Sequence, residues 1–328
     1  MRLDSSISAE ARISGTAATA PHHVPASFRR GPVLWLILSG VLLVTAITIG
    51  TALIIGQFRE RALSNGEREL ENAVRLLSRH FDQQLGDLEV PLSDLIAQIQ
   101  AAGVASPEAF KRYMSAPEMH LLMKAKVSAP SEIAGINVYD SEGTLINSSV
   151  VSAVPAVNIA DRAYFKALKS NPEEQQIELV RSRFSGGVRT VVARKVLGPN
   201  GEFLGVVSRA IAPAKFEDFF SSVTLGKDAA ISMFHRDGTL LARHPHVDPM
   251  IGQNFSAAPL LTKVLTEGGQ QTQRVKSPVD RQDRLGSVAG LSHFPLVVIA
   301  TTTVSSELAD WRAKSNARSW PGSVDSGL

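Results

Sequence analysis

The stretch Ile136-Asn-Val-Tyr-Asp-Ser-Glu-Gly143-Thr-Leu-Ile146 aligns without a gap with Ile231-Ser-Met-Phe-His-Arg-Asp-Gly238-Thr-Leu-Leu241, 95 residues further on. Each reads as a short strand, a turn ending in an acid and a glycine, and a returning strand that opens on Thr-Leu. Glycine at the end of the turn suits the positive φ that a tight reversal requires. A strand–turn–strand unit repeated at this spacing predicts two tandem modules of the same build.

Working outward, the first unit continues with strands over about residues 177–184, 188–197 and 202–212, divided by Ser185-Gly186-Gly187 and Pro199-Asn200-Gly201. With the opening pair at 133–139 and 144–148, these predict a five-strand antiparallel meander carrying a helix at about 162–170. A helix at 213–223, with Phe216, Phe219 and Phe220 on one face, closes the unit. The second unit offers a helix at 258–266, strands near 271–277, 285–293 and 296–304, and a last helix at about 305–318. The class is α+β, with modules over residues 130–223 and 224–304 and a C-terminal helix and tail over 305–328.

Upstream, residues 31–58 carry no charge, and the run from Val33 to Ile55 is apolar enough to cross a hydrocarbon core of about 30 Å as one transmembrane helix. Arg29 and Arg30 precede it, which by the positive-inside tendency puts the N-terminus in the cytoplasm and the modules outside. Residues 1–30, rich in Ser, Ala and Pro, read as a disordered tail. Residues 59–129 read as a long stalk helix and a helical region. Leu63, Leu70, Val74, Leu77, Phe81, Leu85, Leu88, Leu92, Leu95 and Ile99 form a helical stripe over a helix of roughly 65 Å, and Gly66, Gly86 and Pro91 predict local bends. The stripe either packs on the chain's own modules or pairs with a second copy; the near-heptad spacing favours a homodimer through the stalk.

This arrangement resembles the double Cache (PDC-type, PAS-like) extracytoplasmic sensor region of bacterial transmembrane receptors, in the form that precedes diguanylate cyclase or histidine kinase outputs. The most specific piece is Asp161-Arg162-Ala163-Tyr164-Phe165, similar to the D-R-x-Y-F signature that opens the pocket-side helix of the first module. Ser182-Arg183-Phe184-Ser185-Gly186, Ala193-Arg194-Lys195, Asp237-Gly238 through Arg243-His-Pro245, and Phe294-Pro295 support it. The resemblance implies that the membrane-distal module holds a small ligand, often a carboxylate or an amine, between its sheet and the signature helix.

On that basis Arg162 is the first candidate ligand contact, because a guanidinium presents a planar donor fork to two carboxylate oxygens. Tyr164 walls the pocket or donates its hydroxyl, and Tyr139, Arg183 and Arg194 follow from the strands, subject to the alternation of faces. The plainer reading has Asp161 capping the helix and Arg162 in a surface ion pair. The amino-acid-binding members of the family use an acid on the last strand of the first module, where this chain has Ser208-Arg209-Ala210; that favours an anionic or uncharged ligand.

Composition narrows the remaining classes. No cysteine is present, which removes thiol chemistry, disulfides and Cys-ligated metals. A formal charge of +3, with Lys and Arg mixed among Asp and Glu, is no footprint for nucleic acid. His244-Pro245-His246 with His235 has no third ligand at a metal-binding spacing, so neither a metal nor a cofactor is predicted. Phosphate-loop, dinucleotide, zinc-protease and nucleophile-elbow motifs are all missing, so the protein reads as no enzyme.

After Trp311 the sequence holds no apolar run able to span a bilayer. The expectation is therefore a single-pass inner-membrane protein displaying a periplasmic or extracellular small-ligand sensor, without an output domain on the same chain. A decoy that dimerises with full-length receptors, and an anchored periplasmic hydrolase, are the alternatives.

Overall fold

The computed structural model describes residues 30–127, 135–183, 186–226 and 228–309. The tail predicted before residue 30, the end of the predicted helical region and the start of the first predicted strand over 128–134, Phe184 and Ser185, and the part of the predicted last helix beyond 309 lie outside these residues. Residues 304–309 are helical.

Helix α1 runs from Arg30 to Ala101 through Gly66, Gly86 and Pro91 without interruption. Its first stretch, within the unit that ends at Gly56, exposes Trp35, Leu36, Val41, Leu42, Ile47, Leu53 and Ile54. There the hydroxyls of Thr45, Thr48 and Thr51 donate to the carbonyls four residues back at 2.7–2.8 Å, so each polar side chain is satisfied inside the helix. This stretch is long and apolar enough to cross a membrane.

The remainder of the chain builds two sheets of identical order. Helices α2 (Pro107–Met114) and α3 (Pro117–Lys126) follow α1, each starting with proline at its first turn, where no amide hydrogen is needed. Ser106 caps α2, its Oγ accepting from Ala109 N at 3.2 Å. The first module then adds strands β1 (Asn137–Asp140) and β2 (Leu145–Ser148), helix α4 (Ala163–Ser170), and strands β3 (Gln175–Arg181), β4 (Val188–Leu197) and β5 (Phe203–Ile211). Helix α5 (Pro213–Ser222) leads into the second module, which has β6 (Ala230–His235), β7 (Leu240–His244), helix α6 (Pro259–Glu267), β8 (Gln270–Lys276), β9 (Asp283–Gly290) and β10 (Leu296–Thr303).

The sheets read β2-β1-β5-β4-β3 and β7-β6-β10-β9-β8, antiparallel throughout. This corrects the simple meander: β1 lies between β2 and β5, so the first strand is interior and β5 is central, with the hairpin β1–β2 on one side and β4 and β3 on the other. The duplication is otherwise close. Both opening pairs slip register at the same place, between Val138 and Tyr139 and between Met233 and Phe234. The turn glycines Gly143 and Gly238 have φ of 78° and 98°, and a Cβ on either would come within 2.7 Å of the amide nitrogen of Ala160 or Ser256. The repeat extends to Asn158 and Asn254, whose side chains each bridge the turn to the following segment.

The helical stripe of α1 is buried within the chain. Leu70, Val74, Leu77, Phe81, Leu85 and Leu88 join α5 and the inner face of the second sheet in one core, together with Ile177 and Val192 from the first. Leu92, Leu95 and Ile99 join α2, α3, Ile136 and Val138 in a second. These side chains are therefore covered by the chain's own modules. Helix α5 packs against β7 of the second sheet, so Phe216 and Phe220 lie between α1 and that sheet. The opposite face of each sheet is covered by its own helix: α4 over Tyr139, Val180, Val191 and Val206, and α6 over Phe234, Val288, Val297 and Ile299.

Candidate functional site

Alternation along β4 decides which side chains reach the face under α4. Val191 and Ala193 point to α4, while Val192 and Arg194 point to α1. Arg194 accordingly donates to Ser93 Oγ on α1 at 2.6 Å and pairs with Glu174 at 3.3 Å. It has no place in the cavity beneath α4, and its nomination as a contact there is corrected by the parity of its strand.

That cavity has a volume of about 50 Å³. Tyr139, Arg162, Tyr164 and Arg183 line it, and Arg181 and Arg189 join them. The guanidinium of Arg162 reaches across to donate to Arg181 O at 2.7 Å, tying the start of α4 to the end of β3. Arg181 donates to Gly186 O at 3.1 Å and Arg189 to Val188 O at 2.9 Å. Three of the four arginines thus use these donors on backbone carbonyls, and their charge is not cancelled there.

Arg183 is the one gripped by a carboxylate. Its Nη1 and Nη2 meet the two oxygens of Asp161 at 2.7 and 2.6 Å, and Nη1 also donates to Asn158 O. The bond from Arg183 holds the Asp161 carboxyl below its usual range and raises Arg183 in turn. Asp161 therefore does not cap α4. The N-cap position is Arg162, and the helix amide of Tyr164 is met instead by Glu178 Oε2 from β3 at 2.7 Å.

The two tyrosines supply the neutral polar surface. Burial pushes the Tyr139 hydroxyl up to about 12, against the opposing effect of its hydrogen bond with Ser208. Tyr164 is pushed up as well, chiefly by burial. Both stay protonated in ordinary buffers and present hydroxyls rather than phenolates. Ser208 and Ala210 are the residues that β5 shows to the cavity, while Arg209 turns to α1 and donates to Leu88 O at 3.4 Å. Arg189 was legible in principle, since it shares its parity with Val191 and Ala193, but parity assigns a face only once it is known which face is covered.

The predicted histidine loop is arranged around a different residue. His246 lies between Glu217 of α5, at 2.8 Å, and Asp248, at 2.8 Å, and these carboxylates raise its affinity for a proton.

Residues 213–301 match the family model dCache_1_like, described as a histidine kinase sensor domain. Among solved structures, the chain is similar to the extracellular domain of rpHK1S-Z16, a protein assigned as a histidine kinase. Identity is 26% and the TM-score 0.65, over 76% of this chain and 99% of that one. The periplasmic sensory domain of the Campylobacter jejuni chemoreceptor Tlp1 matches at 10% identity and a TM-score of 0.59, over 75% of this chain and 98% of that one. The ligand-binding domain of the Campylobacter jejuni chemoreceptor Tlp3, solved in complex with L-valine, matches at 10% identity and 0.51, over 77% and 97%. At that identity the two chemoreceptor domains share the fold alone. None of the curated proteins matches.

Proposed function

We propose that the double Cache sensor region of this chain, two PAS-like modules with the long helix α1 along them, captures a small anionic molecule in its first module. The observation that carries this reading is the wall of the cavity beneath α4, where Arg162, Arg183 and Arg189 meet and, among the described residues, Arg183 alone of the three is held by a carboxylate. A surplus of guanidinium around a small, largely apolar space favours a ligand that brings negative charge, and a carboxylate matches the fork of Arg162.

The Tlp3 domain was solved with an amino acid. An amino acid also needs an acceptor for its ammonium group, and here β5 offers Ser208 and Ala210, while Glu178 is taken up by the Tyr164 amide. The reading is therefore a carboxylate without an amine. The apolar start of α1 supports a single-pass protein, with Arg29 and Arg30 on the cytoplasmic side and both modules outside the inner membrane. Ligand binding would act by favouring one of two arrangements of α1 and the modules, to the extent of its differential affinity. Homodimerisation, on this reading, uses faces other than the buried stripe.

The test is thermal unfolding of the full chain in lipid nanodiscs against a panel of organic acids, amino acids, amines and sugars. A ligand that binds the folded state alone stabilises it by about 2.7 kcal/mol at a hundred times its dissociation constant. The expected result is a midpoint raised by one or more carboxylates and by no amine, with the response lost in Arg162→Ala. A cooperative transition that no carboxylate moves would overturn the reading.

A further inference from the structure

The second module has a cavity of about 60 Å³ between its sheet and α6. The register of the two sheets identifies it as the counterpart of the first cavity. Arg189 stands opposite Val180 across β3 and β4, and Arg284 stands opposite Val275 across β8 and β9; all four line their cavities. Phe234 takes the place of Tyr139, Ile299 that of Ser208, and Thr301 that of Ala210. The signature arginine is missing: Ala258, not arginine, precedes α6 as Arg162 precedes α4.

The second module restores the charge from another direction. Arg243, on β7 opposite Ser232, occupies the register position of Ser148 in the first sheet. It lines the cavity beside Arg284, together with Ser232, Phe234 and Leu260. Arg284 donates through Nε and Nη2 to Asp280 Oδ2, at 3.0 and 2.6 Å, and through Nη1 to Asp228 O at 2.8 Å. Arg243 donates through Nη1 to Ser232 Oγ at 2.8 Å, and its buried Nε has no partner among the described residues. Glu217, the acid that approaches this strand, takes the backbone amide of Arg243 and the ring of His246 instead. Asp280 is thus taken by Arg284, and among the described residues no carboxylate meets the guanidinium of Arg243. Burial, and then the charge of Arg284, make Arg243 harder to keep protonated, and the more distant charge of Asp280 offsets only part of this.

We propose that this cavity is a second ligand site, which takes a short-chain aliphatic carboxylate. Its carboxylate meets Arg243 and Arg284, and its alkyl end lies among Phe234, Leu260 and Ile299. The space admits only a few water-sized groups, so the ligand has about four to six non-hydrogen atoms. This goes beyond the reading of the first cavity and does not depend on it.

Calorimetric titration of the full chain in nanodiscs with sodium propionate, against sodium chloride at equal ionic strength, tests it. Propionate is expected to bind and chloride not. Binding should be lost in Arg243→Met, which keeps the length of the side chain without its charge, and weakened about tenfold or more in Arg243→Lys, which keeps the charge without the fork. It should survive in Arg162→Ala. Arg243→Met should also unfold at a higher temperature than the unmodified protein in ligand-free buffer, since it removes one of two neighbouring buried cations; this reports that the variant is folded. Propionate binding that is unchanged in Arg243→Met, or lost in Arg162→Ala alone, would place the ligand in the first cavity and overturn the proposal. An equal response to chloride, or none to propionate, would overturn it too.

Discussion

Arg183, which lines the first cavity, holds Asp161 through two parallel hydrogen bonds, Nη1 to Oδ1 at 2.7 Å and Nη2 to Oδ2 at 2.6 Å. The pair joins the end of β3 to the segment that enters α4. Since Arg183 also donates to Asn158 O, one side chain fixes both ends of the run from Asn158 to Asp161.

Both partners are largely exposed, so the pair adds little to global stability. Its effect is local. Arg183→Ala is expected to leave the unfolding midpoint within scan error while amide protection over residues 158–163 falls about tenfold, as local opening no longer breaks a charge-assisted bond. Hydrogen exchange read by mass spectrometry decides this. Unchanged protection there would show that the Asn158 bridge to the turn holds the segment without Arg183.

Tyr139 ties stability to alkaline pH. Its folded value, about 12, lies above the ordinary value of 10, so between these pH values the folded state keeps a proton that the unfolded chain releases. Stability from this group is complete below about pH 10 and falls as pH rises towards 12. Tyr139→Phe removes that dependence together with the Ser208 hydrogen bond. At pH 8 the variant is expected to be less stable by about 1 kcal/mol. By pH 11.5 the gap should close or change sign. Denaturant midpoints at the two pH values give the answer, and a gap independent of pH would show that the hydroxyl is not confined as described.

The strand-and-glycine repeat that opens each module was legible because every signal in it is local: alternation, an acid, a glycine with positive φ. Strand order was not. That β1 lies between β2 and β5 depends on pairing Val138 with Val207, a contact across the whole module that no neighbouring residue announces. The cavity was legible where the signature stands, at Arg162 and Tyr164, and misread at Arg194, because a strand's alternation is visible in sequence while the identity of the covered face is not. Arg243 and Arg284 escaped for a related reason. Arg284 belongs to no motif, Arg243 stands in a motif piece that the resemblance ties to no ligand, and their proximity comes from two strands of one sheet that approach the same cavity from opposite sides.

The stripe on α1 has a fate that can be measured. Phe81 is fully buried, with ring centroids 5.7, 5.3 and 5.4 Å from those of Phe216, Phe219 and Phe220. Truncating such a side chain costs about 3–5 kcal/mol. Phe81→Ala is therefore expected to lower the unfolding midpoint sharply, and equally at low and high protein concentration. Leu76, 66% exposed on the same helix, should tolerate alanine within about 0.5 kcal/mol. A pairing seam would behave otherwise: Phe81→Ala would then yield a folded chain whose association alone had weakened, seen as a concentration-dependent midpoint.

His246 couples α5 to the loop after β7. Glu217 and Asp248 flank its ring, and both stabilise the charged form, Asp248 the more strongly; the folded chain therefore binds this proton more tightly than the unfolded one does. The contribution is complete below about pH 6.5 and is lost as pH rises through the raised folded value. Because the ring is 43% exposed, solvent screens much of it, and the effect is expected as a modest fall in midpoint between pH 6 and 8.5. His246→Gln keeps a donor for one carboxylate and has no charge to lose, so its midpoint should vary less over the same range. Since Phe216 and Phe220 of the same helix pack between α1 and the second sheet, any loosening of α5 should also appear as lower amide protection factors, corrected for the intrinsic pH dependence of exchange, across Pro213–Ser222 at pH 8.5 in the unmodified protein. A pH profile identical in the two proteins would show that the two carboxylates do not bind the protonated ring in solution.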